Sequence, residues 1–270
     1  MAWRVNMEPV IVLGGGRALL LQVLHPLVAA GVERHSNFAQ DPFRRGFRTA
    51  DMMLKLAFAD PATSARQATL LRKMHERVKG ETPDGLRYDA TDPSLLLWVW
   101  ATLVDVSIRV YERGVRPLTA NERERFYEEQ KEIAYACGIP QGDCPKSYAD
   151  FEAYFDETMR NDLRVTSAAR LVAFAGDHPP LPRPLGRVAS TFVGLFTAGM
   201  LPEAFREPLG YRWTPRKERL LGVLFLASRI ASKVIPRAIR HAPNRYLIKR
   251  KTPLGLWKDR PIVFPNKPAA

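Results

Sequence analysis

Ala68, Leu71, His75 and Val78 recur at spacings of three, four and three residues, which places them on one face of a helix. Arg66, Arg72, Lys73, Arg77 and Lys79 fall mostly on the other faces. His75 therefore reads as inward, with small Ala65 and Ala68 one or two turns before it. Small residues beside an inward imidazole leave room for something flat and wide, such as a haem, whose iron one histidine commonly holds. The same spacing equally serves a hydrogen-bonded core histidine. Upstream, Arg45, Arg48 and Thr49 stand at i, i+3 and i+4 and share a face. Guanidinium groups there suit carboxylates such as haem propionates or a polarised ligand, and Thr49 adds a hydroxyl. The same residues also fit a solvated basic helix start, against which stand Phe43 and Phe47, which suit a substantially packed helix.

The remaining candidates read as structural. Asp105 and Arg109, at i and i+4 in an apolar run, suit an internal ion pair. His25 precedes Pro26, where carbonyls lose helical partners, and His35-Ser36-Asn37 reads as a polar turn. His178 and His241 sit among prolines and are expected at the surface. Gly14-Gly15-Gly16-Arg17 has neither dinucleotide-loop nor Walker spacing, so it reads as a turn allowing close packing. Cys137 and Cys144 make no CxxC pair and no zinc cluster, and two cysteines suit a reducing compartment, hence the cytoplasm.

The elements that must position these residues are helices. Asp41-Pro42, Asp60-Pro61, Asp92-Pro93 and Thr214-Pro215 each set a capping side chain before a proline, and Thr119-Ala-Asn-Glu122 reads as a capping box. The pattern predicts helices over 17–33 (bent near Pro26), 44–58, 61–79, 93–113, 120–137, 147–162, 166–174, 186–199 and 215–240. Only Val10–Leu13 has strand character, so the fold class is all-α, a single domain of about nine helices over 1–240 with a proline-rich basic arm over 241–270.

The charge is unevenly spread. Of 41 Lys+Arg and 28 Asp+Glu, residues 1–180 hold a net −1 and residues 181–270 a net +14. This excludes a uniformly basic nucleic-acid binder, and few aromatics interleave with the basic residues. The basic, amphipathic 215–240 helix fits either a domain helix or an anionic membrane surface. The apolar N-terminal stretch is interrupted by Glu8, Gly14–Gly16, Gln22 and His25, a weak match to a signal peptide. Uninterrupted apolar runs such as Leu95–Val104 fall short of the roughly 18–20 residues of a spanning helix, so integral membrane insertion is not expected.

Taken together, several segments resemble the MpaB-like oxygenase family, which includes the latex clearing proteins (rubber oxygenases). They are the Gly-Gly-Gly-Arg-Ala-Leu-Leu-Leu-Gln-Val-Leu-His-Pro run from Gly14 with its continuation to Val32, His35-Ser36, Asp41-Pro42-Phe43-Arg44-Arg45, Arg48-Thr49 and Met74-His75. Val78-Lys79-Gly80, Tyr88-Asp-Ala, Asp92-Pro93, Trp98-Val-Trp-Ala-Thr-Leu-Val104 and Leu201-Pro202 with Arg206 follow in the same order, over roughly residues 10–210. The resemblance implies a globin-like helical fold, haem b as cofactor and dioxygen used on a lipophilic or unsaturated organic substrate. It implies His75 as the proximal iron ligand, Arg45 and Thr49 as distal residues, and Arg45 and Arg48 beside the cofactor. Arg48 stands where latex clearing proteins carry a lysine able to cap the iron, which a guanidinium does poorly. Trp100 stands where many smaller relatives carry a histidine. Met52, Met53, Leu56, Leu97 and Trp100 are expected to shape a groove between the 44–58 and 93–113 helices. Alternative functions are a non-catalytic haem or lipophile carrier at a membrane surface and a peroxidase-like activity.

Overall fold

The computed structural model describes residues 1–35, 42–82, 84–177 and 184–250, of which 42–47, 176 and 177 as helical backbone only. Fourteen α-helices and one small sheet occupy the described residues. The chain opens with α1 (Ala2–Asn6), a 3-10 helix (Pro9–Gly14), α2 (Gly15–Leu24), α3 (Pro26–His35), α4 (Pro42–Phe58) and α5 (Pro61–His75). An antiparallel ribbon, β1 (Lys79–Glu81) and β2 (Arg87–Asp89), leads into α6 (Pro93–Gly114) and α7 (Ala120–Cys137). Then come α8 (Tyr148–Asn161), α9 (Ser167–Asp177), α10 (Leu185–Met200), α11 (Glu203–Arg206), α12 (Pro215–Val234), α13 (Arg237–Arg240) and α14 (Ala242–Lys249).

The capping residues act as their types dictate. Asp60 accepts the Thr63 N–H at 3.0 Å and Asp92 the Ser94 N–H at 2.8 Å, each before a proline whose missing N–H leaves nothing unsatisfied. The Thr119–Glu122 capping box forms, and Ser147 with Asp150 makes another. Arg116 grips the Glu122 carboxylate with two nitrogens and, with the Thr119 N–H, holds its pKa down at about 2.

The fold is all-α, with local differences from the sequence reading. Val10–Leu13 is a 3-10 helix, not a strand, because a short apolar run suits a buried helix as well as a strand. The helix expected over 61–79 ends at His75. Val78 turns its N–H back to the His75 carbonyl at 2.8 Å, and Lys79, Gly80 and Glu81 pair with Asp89, Tyr88 and Arg87. The ribbon fits under Tyr88 because residue 80 is glycine; a Cβ there would lie 2.7 Å from the Tyr88 hydroxyl. The 17–33 segment is two helices bent by 103° at His25-Pro26. The 215–240 segment breaks at Ile235, which is extended before Pro236. Helices α1, α11 and α14 are too short to leave a periodic signal, so the nine expected helices become fourteen.

Helix α6 is the axis of the core. It packs on the 3-10 helix, α1, α2, α7, α8 and α12. Around it lie Trp98 on Phe155 at 5.2 Å, and Trp100 between Tyr127 at 5.8 Å and Phe151 at 6.1 Å. In length and hydropathy α6 matches a spanning helix, but 78% of its apolar window is buried within the protein. Run-length counting misses this because Asp105 interrupts the run. Far from the core centre, Glu8 accepts hydrogen bonds from Arg240 and contacts His241 at 3.1 Å, while Asn244 donates to the Met7 carbonyl at 3.1 Å. His241 is thus buried, contrary to the surface position its neighbouring prolines suggested; a carboxylate partner from the other end of the chain is invisible locally.

Candidate functional site

Helices α4 and α5 form a hairpin with a two-residue link, Ala59-Asp60, and pack on each other. Near the link the hairpin is closed: Ser64 Oγ donates to the Leu56 carbonyl at 2.6 Å, and Leu56 and Ala68 bury with Ile133 and Cys137 of α7, with Met53 and Leu71 beside them. At ~1.5 Å rise per residue, Arg45 and His75 both lie about 22 Å from the link, and Arg48 and Thr49 about 16–18 Å from it. Arg45 and His75 are therefore beyond the apolar cluster, toward the open end of the hairpin, while Arg48 and Thr49 are level with Leu71 at its edge.

His75 is half-buried as the last residue of α5. One turn earlier Arg72 donates to the Ala136 carbonyl at 3.3 Å, fixing that end of α5 to α7. Arg48 and Thr49 are exposed on α4. The backbone of residue 45 is helical, while the Arg45 side chain, with those of Phe43, Arg44 and Phe47, lies outside the described residues. Ala68 does not leave a void, since the α7 cluster fills that space, and Ala65 is exposed.

Among the described residues, Leu97 and Trp100 of α6 lie in the core and do not line the expected groove. Trp100 is buried and its indole Nε1 donates to the Gln130 carbonyl at 3.2 Å; Leu97 belongs to the main core. Helix α4 packs instead on α5, α7, α9 and α14. An apolar helix rich in tryptophan is compatible with either a groove or a core, and here it is core.

Other sequence candidates resolve individually. Arg109 bonds Asp105 at 2.6 Å, and a second cation reaches the same carboxylate: Arg17, buried, at 3.0 and 2.7 Å. An arginine immediately before the apolar 18–24 stretch was the available signal. Burial lowers the Arg17 pKa despite Asp105. Gly14 and Gly16 behave as close-packing residues, since a Cβ would overlap Val106 or Thr197. His35 ends α3 and meets the Tyr88 hydroxyl at 3.2 Å, so it is partnered rather than part of a free turn; Ser36 and Asn37 lie outside the described residues, as does His178. His25 does not satisfy a carbonyl through Nδ1, which is buried without a partner, and burial lowers its pKa. Cys137 and Cys144 are free and buried, each thiol pushed up to about 11 by desolvation.

With this geometry in hand, comparison with known proteins is informative. Residues 3–230 match the family described as "ER-bound oxygenase mpaB/B'/Rubber oxygenase, catalytic domain". The chain belongs to this family. An uncharacterized protein of Mycobacterium tuberculosis, Rv2237, is 26% identical over 231 residues, covering 81% of this chain and 87% of its own. The uncharacterized protein Mb2261 of Mycobacterium bovis matches to the same extent. Among solved structures, latex clearing protein in its closed state superposes with a TM-score of 0.63 at 16% identity, over 91% of this chain and 70% of the other. That likeness carries the fold. Membership in the mpaB/rubber oxygenase family supports an enzyme of the oxygenase class.

Proposed function

We propose that the protein is a haem b-dependent oxygenase acting on a lipophilic, unsaturated substrate, with His75 as the proximal ligand. The observation that carries this reading is the hairpin. It sets the half-buried His75 at the end of α5 level along the hairpin with Arg45 of α4, with Arg48 and Thr49 about one turn nearer the link, in a chain of the mpaB/rubber oxygenase family. The donor set fits the cofactor: an imidazole nitrogen for iron, and the Arg48 guanidinium for a propionate.

A haem bound there supplies dioxygen activation. The residues of the chain do the rest. His75 Nε2 or Nδ1 would hold the metal, and Arg72, tied to α7, keeps that end of α5 in place. Arg48 would neutralise a propionate. Arg45 and Thr49 would present N–H and O–H donors to the charge that develops on oxygen during reaction. The reaction class is oxidative cleavage of a carbon–carbon double bond. One dioxygen is consumed per bond, each oxygen atom ends in a carbonyl, and no external reductant is required.

The absorption spectrum of the purified protein, compared with His75→Ala, tests the proposal. A Soret band is expected in the first and loss of it in the second; a full Soret band in His75→Ala sinks the assignment. Dioxygen consumption with an unsaturated isoprenoid then separates an oxygenase from a carrier, which would shift its spectrum without turnover.

A further inference from the structure

Helix α12 is apolar on two opposite faces. One face carries Leu221 and Phe225, both buried; Phe225 meets the Phe196 ring of α10 at 5.4 Å, and Ser228 Oγ donates to the Gly114 carbonyl at 2.8 Å. The other face carries Leu220, Val223, Leu226, Ile230 and Val234, spaced three or four apart and 49% to 74% exposed. A helix at the surface of a domain needs only the first of these stripes. The second has cations at both ends, Arg216 and Arg219 before it and Lys233 in its last turn.

Neighbouring helices extend the same character. α10 runs antiparallel beside α12, since Gly199 backs onto Leu221 while Phe196 meets Phe225. It exposes Leu185, Val188 and Phe192, at i, i+3 and i+7. α9 packs on α10 and exposes Leu171 and Phe174. Large apolar patches of this kind on a water-facing surface mark an interaction site.

We propose that this face docks on an anionic bilayer, with α12 lying in the plane of the interface and its second apolar stripe in the headgroup–acyl boundary. Charge selects this occupant. Within α12 the single acid, Glu218, is engaged by Arg113 at 3.7 Å and by the Trp213 indole at 2.9 Å, against Arg216, Lys217, Arg219, Arg229 and Lys233. A second copy would oppose these cations with its own, whereas phosphate headgroups neutralise them. The surface stands on exposure and charge, independently of the haem assignment.

Vesicle co-sedimentation of the full chain tests it, using phosphatidylcholine alone and phosphatidylcholine mixed with phosphatidylglycerol. The wild type is expected on the anionic vesicles, with weaker binding at high salt. A Val223→Ser/Leu226→Ser/Ile230→Ser variant, altered only at outward positions, is expected to bind about tenfold or more weakly while keeping its urea midpoint and any Soret band. An Arg216→Gln/Arg219→Gln/Lys233→Gln variant should lose the preference for anionic lipid. No binding to either vesicle, or equal binding by the serine variant, overturns the proposal. So does a dimer in light scattering that the serine variant dissolves, or cross-links from residues 251–270 onto the stripe in lipid-free protein.

Discussion

Arg17 and Asp105, 88 residues apart, are joined by two nitrogens on one carboxylate oxygen, at 3.0 and 2.7 Å, in the buried contact between α2 and α6. Arg17 also donates to the Met200 carbonyl, so the same guanidinium ties α10 to both. Asp105→Asn leaves the buried cation uncompensated and is expected to destabilise by about 3–5 kcal/mol. Arg109 bonds the same carboxylate but its side chain is 53% exposed, and Arg109→Ala is expected to change stability by less than about 1 kcal/mol. Urea unfolding of both variants checks this; equal losses would show that the pair with Arg17 is not the dominant one.

At the candidate site, Thr49→Val removes a hydroxyl while nearly conserving shape. On the oxygenase reading it lowers kcat by roughly 10–1,000-fold with the Soret band retained. Arg48→Ala should instead weaken retention of the cofactor. Turnover and haem occupancy measured on the same preparations separate the two roles.

Trp100 predicts a structural phenotype. With its ring between Tyr127 and Phe151, Trp100→Ala opens a core cavity and costs about 3–5 kcal/mol. Trp100→Phe should fold with a moderately lowered Tm and an unchanged absorption spectrum. A spectrum altered by the phenylalanine variant would bring Trp100 back to the border of the site.

Burial is the main cause holding the His25 pKa below 6.5, with Arg164 adding to it and Asp162 and Asp92 opposing. The native imidazole therefore stays neutral where the unfolded one takes up a proton. The stability this contributes is complete above 6.5 and is lost as pH falls from there toward the depressed native value. Unfolding free energy is expected to drop as pH falls below 6.5, and His25→Gln should flatten that part of the profile. An identical slope in the variant assigns the effect to other groups.

Helix starts were legible because their chemistry is local: Asp60, Asp92, Thr119 and Thr214 each cap within three residues of themselves. Of the stripe expected through Ala68, Leu71, His75 and Val78, only Ala68 is buried, and Val78 lies beyond the end of α5. What escaped was made at a distance. The end of α5 depends on a ribbon closed by Tyr88, and the burial of His241 depends on Glu8. The position of Trp100 depends on α7 and α8. Periodicity states that a face is apolar without stating whether another helix, a cofactor or a membrane covers it.

The clamp on Glu8 also bears on how the chain is made. Its partners, Arg240 and His241, follow it by 232 and 233 residues. At ~5–20 residues per second of synthesis, Glu8 waits roughly 10–50 s before either can reach it. Through that interval α1 and the 3-10 helix have α6 and α7 to pack on, but the Glu8 carboxylate must rely on water rather than on Arg240 and His241.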